Sequence, residues 1–117
     1  MTTVLVCGGR DFSDQQYMWA LLEREHAKHK FARVIHGAAR GADRMSGEWA
    51  CQSGIPVTTF PADWAKHGKR AGPIRNQQML DEGKPDLVIA FPGGAGTADM
   101  VRRAKAAAVP TVVVRFE

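Results

Sequence analysis

The sequence predicts an α/β fold: a single Rossmann-like domain over residues 1–117, with a five-stranded parallel sheet in the order 3-2-1-4-5 and helices on both faces. Three observations predict it. Strand-like and helix-like stretches alternate from one end of the chain to the other. The strand-like stretches are apolar almost throughout rather than alternately apolar and polar, as expected where helices cover both faces of a parallel sheet. Three of them run straight into glycine-rich turns, and right-handed crossovers then give a doubly wound sheet.

The first strand is TVLVC (3–7). The stretch 13–30 reads as a helix, with Ser13 and Gln16 at capping-box spacing, an apolar face begun by Met18, Leu21 and Leu22, and Lys28 and Lys30 in its last turn. ARVIH (32–36) is the second strand. A second helix covers 41–52, with Ala42, Met45 and Trp49 at helical spacing and Gly54 as its stop. IPVTTF (55–60) is the third strand, and the aperiodic stretch 61–72 reads as a long loop. A short helix follows at 72–83 with Pro73 in its first turn. DLVIAF (86–91) is the fourth strand. The last helix starts near Gly96 and Thr97, shows Met100, Val101, Ala104, Ala107 and Ala108 on one face, and is ended by Pro110 before the strand TVVV (111–114).

A chain of 117 residues buries roughly two-thirds of its unfolded surface, enough for a core without staples. Its 44% hydrophobic and 24% charged residues are ordinary for a soluble domain. No apolar run approaches the length of a membrane span. MTTVLVCGG has no basic leader region, so a signal peptide is not expected and a cytoplasmic setting is. Cys7 and Cys51 then read as reduced thiols, and neither CxxC nor HxxxH spacing points to a metal. The net charge of +4 favours anionic partners only weakly.

In an open parallel sheet, ligands bind beyond the carboxyl ends of the strands where the strand order reverses. Here that point lies between the first and fourth strands. The first ends in CGGRDF (7–12), the fourth in FPGGAGTAD (91–99), and the neighbouring second in HGAARGAD (36–43). Glycine-loop-to-helix junctions present free backbone N–H groups and a positive dipole end, both suited to phosphate. The candidate ligand-binding residues are Gly8, Gly9, Arg10 and Asp11 from the first loop, and Gly37, Arg40, Gly41 and Asp43 from the second. Pro92, Gly93, Gly94, Gly96 and Thr97 come from the fourth strand's loop, with Trp64, Arg75 and Asn76 from the segments between. Seven of the 16 Lys and Arg residues (Arg10, Arg40, Arg44, Lys66, Lys69, Arg70 and Arg75) fall in or just after these loops. Arg10 and Arg75 have the better claim to bidentate phosphate contact, and Lys66, Lys69 and Arg70 are as readily a solvated rim.

The nucleotide motif is not a standard one. The dinucleotide GxGxxG fails in CGGRDFS, and the second strand ends at His36 rather than an acid, which argues against NAD. There is no GxxxxGK[ST]. No cofactor is called for. Asp43 and Asp99 are expected in first helical turns, where capping is the ordinary role. Asp11 has the better claim on sugar hydroxyls. His36 closes a buried strand and reads as a hydrogen-bonded structural histidine. Trp64 either stacks on a base or anchors its loop, and Trp19 and Trp49 read as core.

GGRDF, HGAARGAD, FPADW (60–64), HGKRAGPIRNQQM (67–79) and FPGGAGT (91–97), in this order over nearly the whole chain, resemble the YspA-like branch of the SLOG superfamily. That superfamily also holds the LOG-type phosphoribohydrolases and the DprA-type DNA-processing proteins. The resemblance implies a Rossmann-like fold, a nucleotide or nucleotide-derived ligand, a place in nucleotide sensing or stress signalling, and a homodimer. The enzymatic relatives carry PGGxGTxxE and an upstream arginine. Arg75 matches the arginine and would be the catalytic residue if the chain hydrolyses an N-glycosidic bond. The glutamate position is Met100, and a thioether cannot stabilise an oxocarbenium-like transition state. Asp99, one residue away, is turned by about 100° on a helix.

The expected function is therefore binding of a small phosphorylated, nucleotide-like ligand. A nucleoside 5′-monophosphate phosphoribohydrolase is the alternative. Single-stranded nucleic acid is not the expected partner, because only Trp64 and Phe12 offer aromatic platforms.

Overall fold

The computed structural model describes residues 1–115. Five strands, β1 (Thr2–Cys7), β2 (Phe31–His36), β3 (Val57–Thr59), β4 (Leu87–Ala90) and β5 (Thr111–Val113), form one parallel sheet in the order β3-β2-β1-β4-β5. This is the predicted order. The register places Val4 beside Val34 and Leu87, and Leu5 beside Ile35 and Val88. Successive side chains on a strand point to opposite faces, so β1 feeds two cores. Val4 and Val6 pack with Met18, Leu22 and Trp49 of α1 (Gln15–His29) and α2 (Ala42–Gln52). Leu5 and Cys7 pack with Met79 and Leu80 of α4 (Ala71–Gly83) and with Met100 and Ala104 of α5 (Ala95–Ala106). The unbroken apolar run of β1 is the sequence trace of this double burial. Among the described residues no helix is long and apolar enough to cross a membrane.

Several boundaries differ from the sequence expectation for identifiable reasons. α1 is capped by Asp14 rather than Ser13: the Asp14 carboxylate accepts from the Tyr17 N–H at 3.1 Å, and a carboxylate also suits the positive helix end. β3 is shorter than 55–60 because Pro56 has no N–H for the ladder. The stretch expected to be a loop contains a four-residue helix, α3 (Trp64–His67), capped by Asp63, and a 3-10 turn at Gly68–Arg70. α5 ends at Ala106, so Ala107 and Ala108 are exposed in the turn beyond it, with Ala108 left-handed.

Candidate functional site

The carboxyl ends of β1, β2 and β4 open into three loops that are laced together through backbone. The Gly9 N–H donates to the Pro92 carbonyl at 2.9 Å, and the Gly9 carbonyl accepts from the Ala42 N–H at 3.1 Å. The packing leaves no room for side chains. A Cβ on Gly8 would lie 2.6 Å from the Ala42 Cβ, and one on Gly93 would lie 2.6 Å from the Gly9 nitrogen. Gly41 has φ +77° and would meet the carbonyls of Gly9 and Arg10. These glycines let loop approach loop. Gly94 and Gly96 differ, since a Cβ on either would meet nothing within 4 Å. They stand at the N-terminal turn of α5, where Gly94 is the N-cap residue and no side chain caps the helix.

This turn forms one wall of a cleft of about 610 Å³. Gly8, Gly9, Arg10, Asp43, Trp64, Arg75, Asn76, Gly94, Gly96 and Thr97 line it, together with Lys69, Asp99 and Arg102. Gly37 and Arg40 line an adjoining hollow of about 360 Å³ that shares Arg10, Trp64 and Arg75 with the cleft. Pro92 and Gly93 face a different hollow, beside Val101 and Val113. Asp11 does not line the cleft; its side chain is 95% exposed and pairs with Arg40 at 3.2 Å. Gly41 is likewise absent from the wall and serves the loop crossing instead. Of the basic rim, Lys69 reaches the cleft while Lys66 and Arg70 do not.

Arg75 crosses from α4 to the end of β2. Its Nη1 donates to the Gly37 carbonyl at 2.6 Å and its Nε to Asn76 Oδ1 at 3.1 Å. Nη2 has no hydrogen-bond partner among the described residues, and Arg75 lines both the cleft and the adjoining hollow. The Arg10 guanidinium lies over the Trp64 ring, 5.4 Å from its centroid. That distance is within cation–π range, and the Trp64 ring is about half exposed.

Neither aspartate behaves as a helix cap. Asp43 accepts from the N–H groups of Gly37 (3.1 Å) and Ala39 (3.2 Å), which lie in the loop before α2 rather than in the helix. Burial pushes its carboxyl up to about 6, against the opposing pull of those N–H groups and of the Arg75 and Arg10 charges. Asp99 falls in the second turn of α5, because the helix begins at Ala95. It lines the cleft, but its carboxylate is fully engaged, accepting from Asn76 Nδ2 at 3.0 Å and from Arg102 and Arg103 at 2.8 Å each. Burial alone would raise it. The bonds from Asn76 and Arg103, with the neighbouring arginine charges, hold it below the ordinary carboxylate range.

Met100 is 1% exposed, within the core beneath the cleft. Cys7 forms part of the floor, and burial, reinforced by the Asp43 charge, pushes its thiol up to about 12, so it offers no thiolate at neutral pH. His36 is buried with Nδ1 accepting from the Ala38 N–H at 2.9 Å, and burial followed by the Arg75 charge lowers it, which keeps the ring neutral. Sequence reasoning placed Asp99 near the site but as a helix cap, and missed Arg102 as a cleft residue. The signal was present in the i, i+3 and i, i+4 spacing of Asp99 to Arg102 and Arg103.

An all-parallel 3-2-1-4-5 sheet with glycine loops gathered at the strand-order reversal defines a Rossmann-like α/β protein. The chain belongs to the YspA, cpYpsA-related SLOG family, whose model matches residues 2–67. That match includes Gly8–Asp11, Gly37–Asp43 and Trp64, and stops short of Arg75 and the α5 turn. The Gene 61 protein of Mycobacterium phage D29 is 39% identical over 120 residues, covering 96% of this chain and 95% of that protein. The crystal structure of MurG from Acinetobacter baumannii superposes with a TM-score of 0.60 at 11% identity. It covers 97% of this chain, which spans 34% of that one, and the likeness concerns the fold.

Proposed function

We propose that the cleft binds a nucleotide or nucleotide-derived ligand through a phosphate seated on the N-terminal turn of α5. The observation that carries this is the pairing of two features in one cavity. The bare backbone of Gly94 and Gly96 opens at a helix start that no side chain caps, and Arg75, whose Nη2 has no hydrogen-bond partner among the described residues, lines the same cleft. Uncapped N–H groups at a positive helix end and an unsatisfied guanidinium edge are both chemistry for a phosphate. The Trp64 ring, half exposed at the mouth, offers a face for a base.

Holding rather than hydrolysis is favoured by Met100, which is sealed in the core and leaves the acid position of the hydrolytic relatives without a carboxylate. A nucleotide sensor or carrier fits this arrangement. Calorimetric titration of the protein with AMP tests it: saturable binding is expected, weakened at least tenfold by Arg75→Ala. Absence of binding by AMP and by other 5′-nucleotides would remove the proposal.

A further inference from the structure

Asp43 carries one carboxylate oxygen that the fold does not use. Oδ2 takes both backbone hydrogen bonds, from Gly37 and Ala39. Oδ1 has no partner among the described residues. The residue is only 6% exposed, and among the described residues no fully buried side-chain oxygen lacks a partner, so Oδ1 keeps some contact with open space. The open space it borders is the cleft. A carboxylate oxygen that borders a cleft and makes no bond to the protein is free to accept from a ligand's donor.

We propose that Asp43 Oδ1 is a specificity element that accepts hydrogen bonds from sugar hydroxyls of the bound ligand, selecting a sugar phosphate over other phosphate monoesters. The inference rests on the phosphate-binding reading above. The surroundings fit an acceptor of neutral donors. Arg75 from α4 and Arg10 from the first loop face Asp43 and stabilise its ionised form, while Cys7 from β1 stays a neutral thiol. His36, at the end of β2, is neutral and turned against Gly47. A second anionic group placed at Oδ1 would be repelled, whereas a hydroxyl would gain a charge-assisted bond. The role anticipated from sequence for Asp11 thus passes to Asp43, because Asp11 is outside the cleft and paired with Arg40.

The selection is also pH-dependent. The carboxyl titrates near 6, so Oδ1 is an ionised acceptor at pH 7.5 and mostly protonated at pH 5.

NMR titrations with methyl phosphate and with ribose 5-phosphate test the proposal, because both carry a phosphate monoester and only one carries hydroxyls. In the wild-type protein at pH 7.5, ribose 5-phosphate should bind about tenfold more tightly. That advantage should fall towards unity in Asp43→Asn, whose amide oxygen can keep the bonds from Gly37 and Ala39. It should also shrink in the wild-type protein at pH 5, a readout that needs no variant to fold. An undiminished advantage in Asp43→Asn, or no advantage in the wild-type protein, overturns this proposal while leaving phosphate binding intact. Failure of both probes to bind overturns the phosphate reading and this inference with it.

Discussion

Arg75 and Asp43 hold opposite ends of the same residue: Arg75 Nη1 donates to the Gly37 carbonyl at 2.6 Å, and Asp43 Oδ2 accepts from the Gly37 N–H at 3.1 Å. A Cβ at Gly37 would collide with the Arg75 guanidinium, so the glycine is what permits the grip. The loop after β2 is thereby fixed by one basic and one acidic side chain that both also face the cleft. The proposed recognition and the fold therefore depend on the same two side chains.

One consequence concerns pH. The Asp43 carboxyl is raised from 3.8 to about 6 by burial, so the folded state keeps a proton that the unfolded state has already released. Stability from this group is full below about pH 4 and is lost as pH rises through 6. A displacement of about two units corresponds to about 3 kcal/mol at most. Asp43→Asn does not ionise, so its melting temperature should exceed that of the wild type by several degrees at pH 8, and the gap should close by pH 4. Thermal melts across this range check it, and a gap independent of pH would contradict it.

The glycines of the fourth-strand loop should separate into two kinds. Gly93→Ala forces a Cβ against the Gly9 backbone and Thr97, and should cost about 1–3 kcal/mol in denaturant unfolding. Gly94→Ala meets open space and should leave stability within about 0.5 kcal/mol while weakening phosphate binding. Equal destabilisation by both would show that the loop is not divided in this way.

Met100→Glu, which would restore the acid of the hydrolytic relatives, is expected to unfold the protein rather than activate it. Met100 packs among Leu5, Val88 and Ala104, and an unpaired carboxylate there costs several kcal/mol. Circular dichroism melts and an assay for released base check both halves; a stable variant that liberates adenine from AMP would contradict the placement.

Trp64 lies about half exposed beneath the Arg10 guanidinium and contributes little to the core. Trp64→Ala should therefore leave unfolding within about 0.5 kcal/mol of wild type. It should weaken AMP about tenfold and inorganic phosphate hardly at all, since stacking on an aromatic ring is worth about 1–3 kcal/mol per base. Parallel calorimetry with the two ligands measures the difference.

The sheet was legible because β1 and β4 are apolar on both faces, and the reversal of strand order located the cleft without any motif. What was not legible depended on exact placement. α3 is one turn long, too short for periodicity to register, so Trp64 looked like a loop residue. Asp99 looked like a first-turn cap until the start of α5 was fixed at Ala95, which moved it into the second turn and into contact with Asn76. Glycine letters announced thin backbone but not its purpose: Gly8, Gly9, Gly41 and Gly93 serve loop against loop, while Gly94 and Gly96 face open space. Asp11 and Asp43 were equally polar, and both lay in loops that follow strand ends in sequence. Only the direction of their loops separates an exposed partner of Arg40 from a buried wall of the cleft.

The central claim is that a phosphate sits at the start of α5 beside Arg75. Amide-resolved NMR during titration with AMP tests it most directly. The largest shifts are expected on the N–H signals of Gly94, Ala95, Gly96 and Thr97, with Arg75→Ala suppressing them. Saturable AMP binding that leaves these four amides unmoved would contradict it.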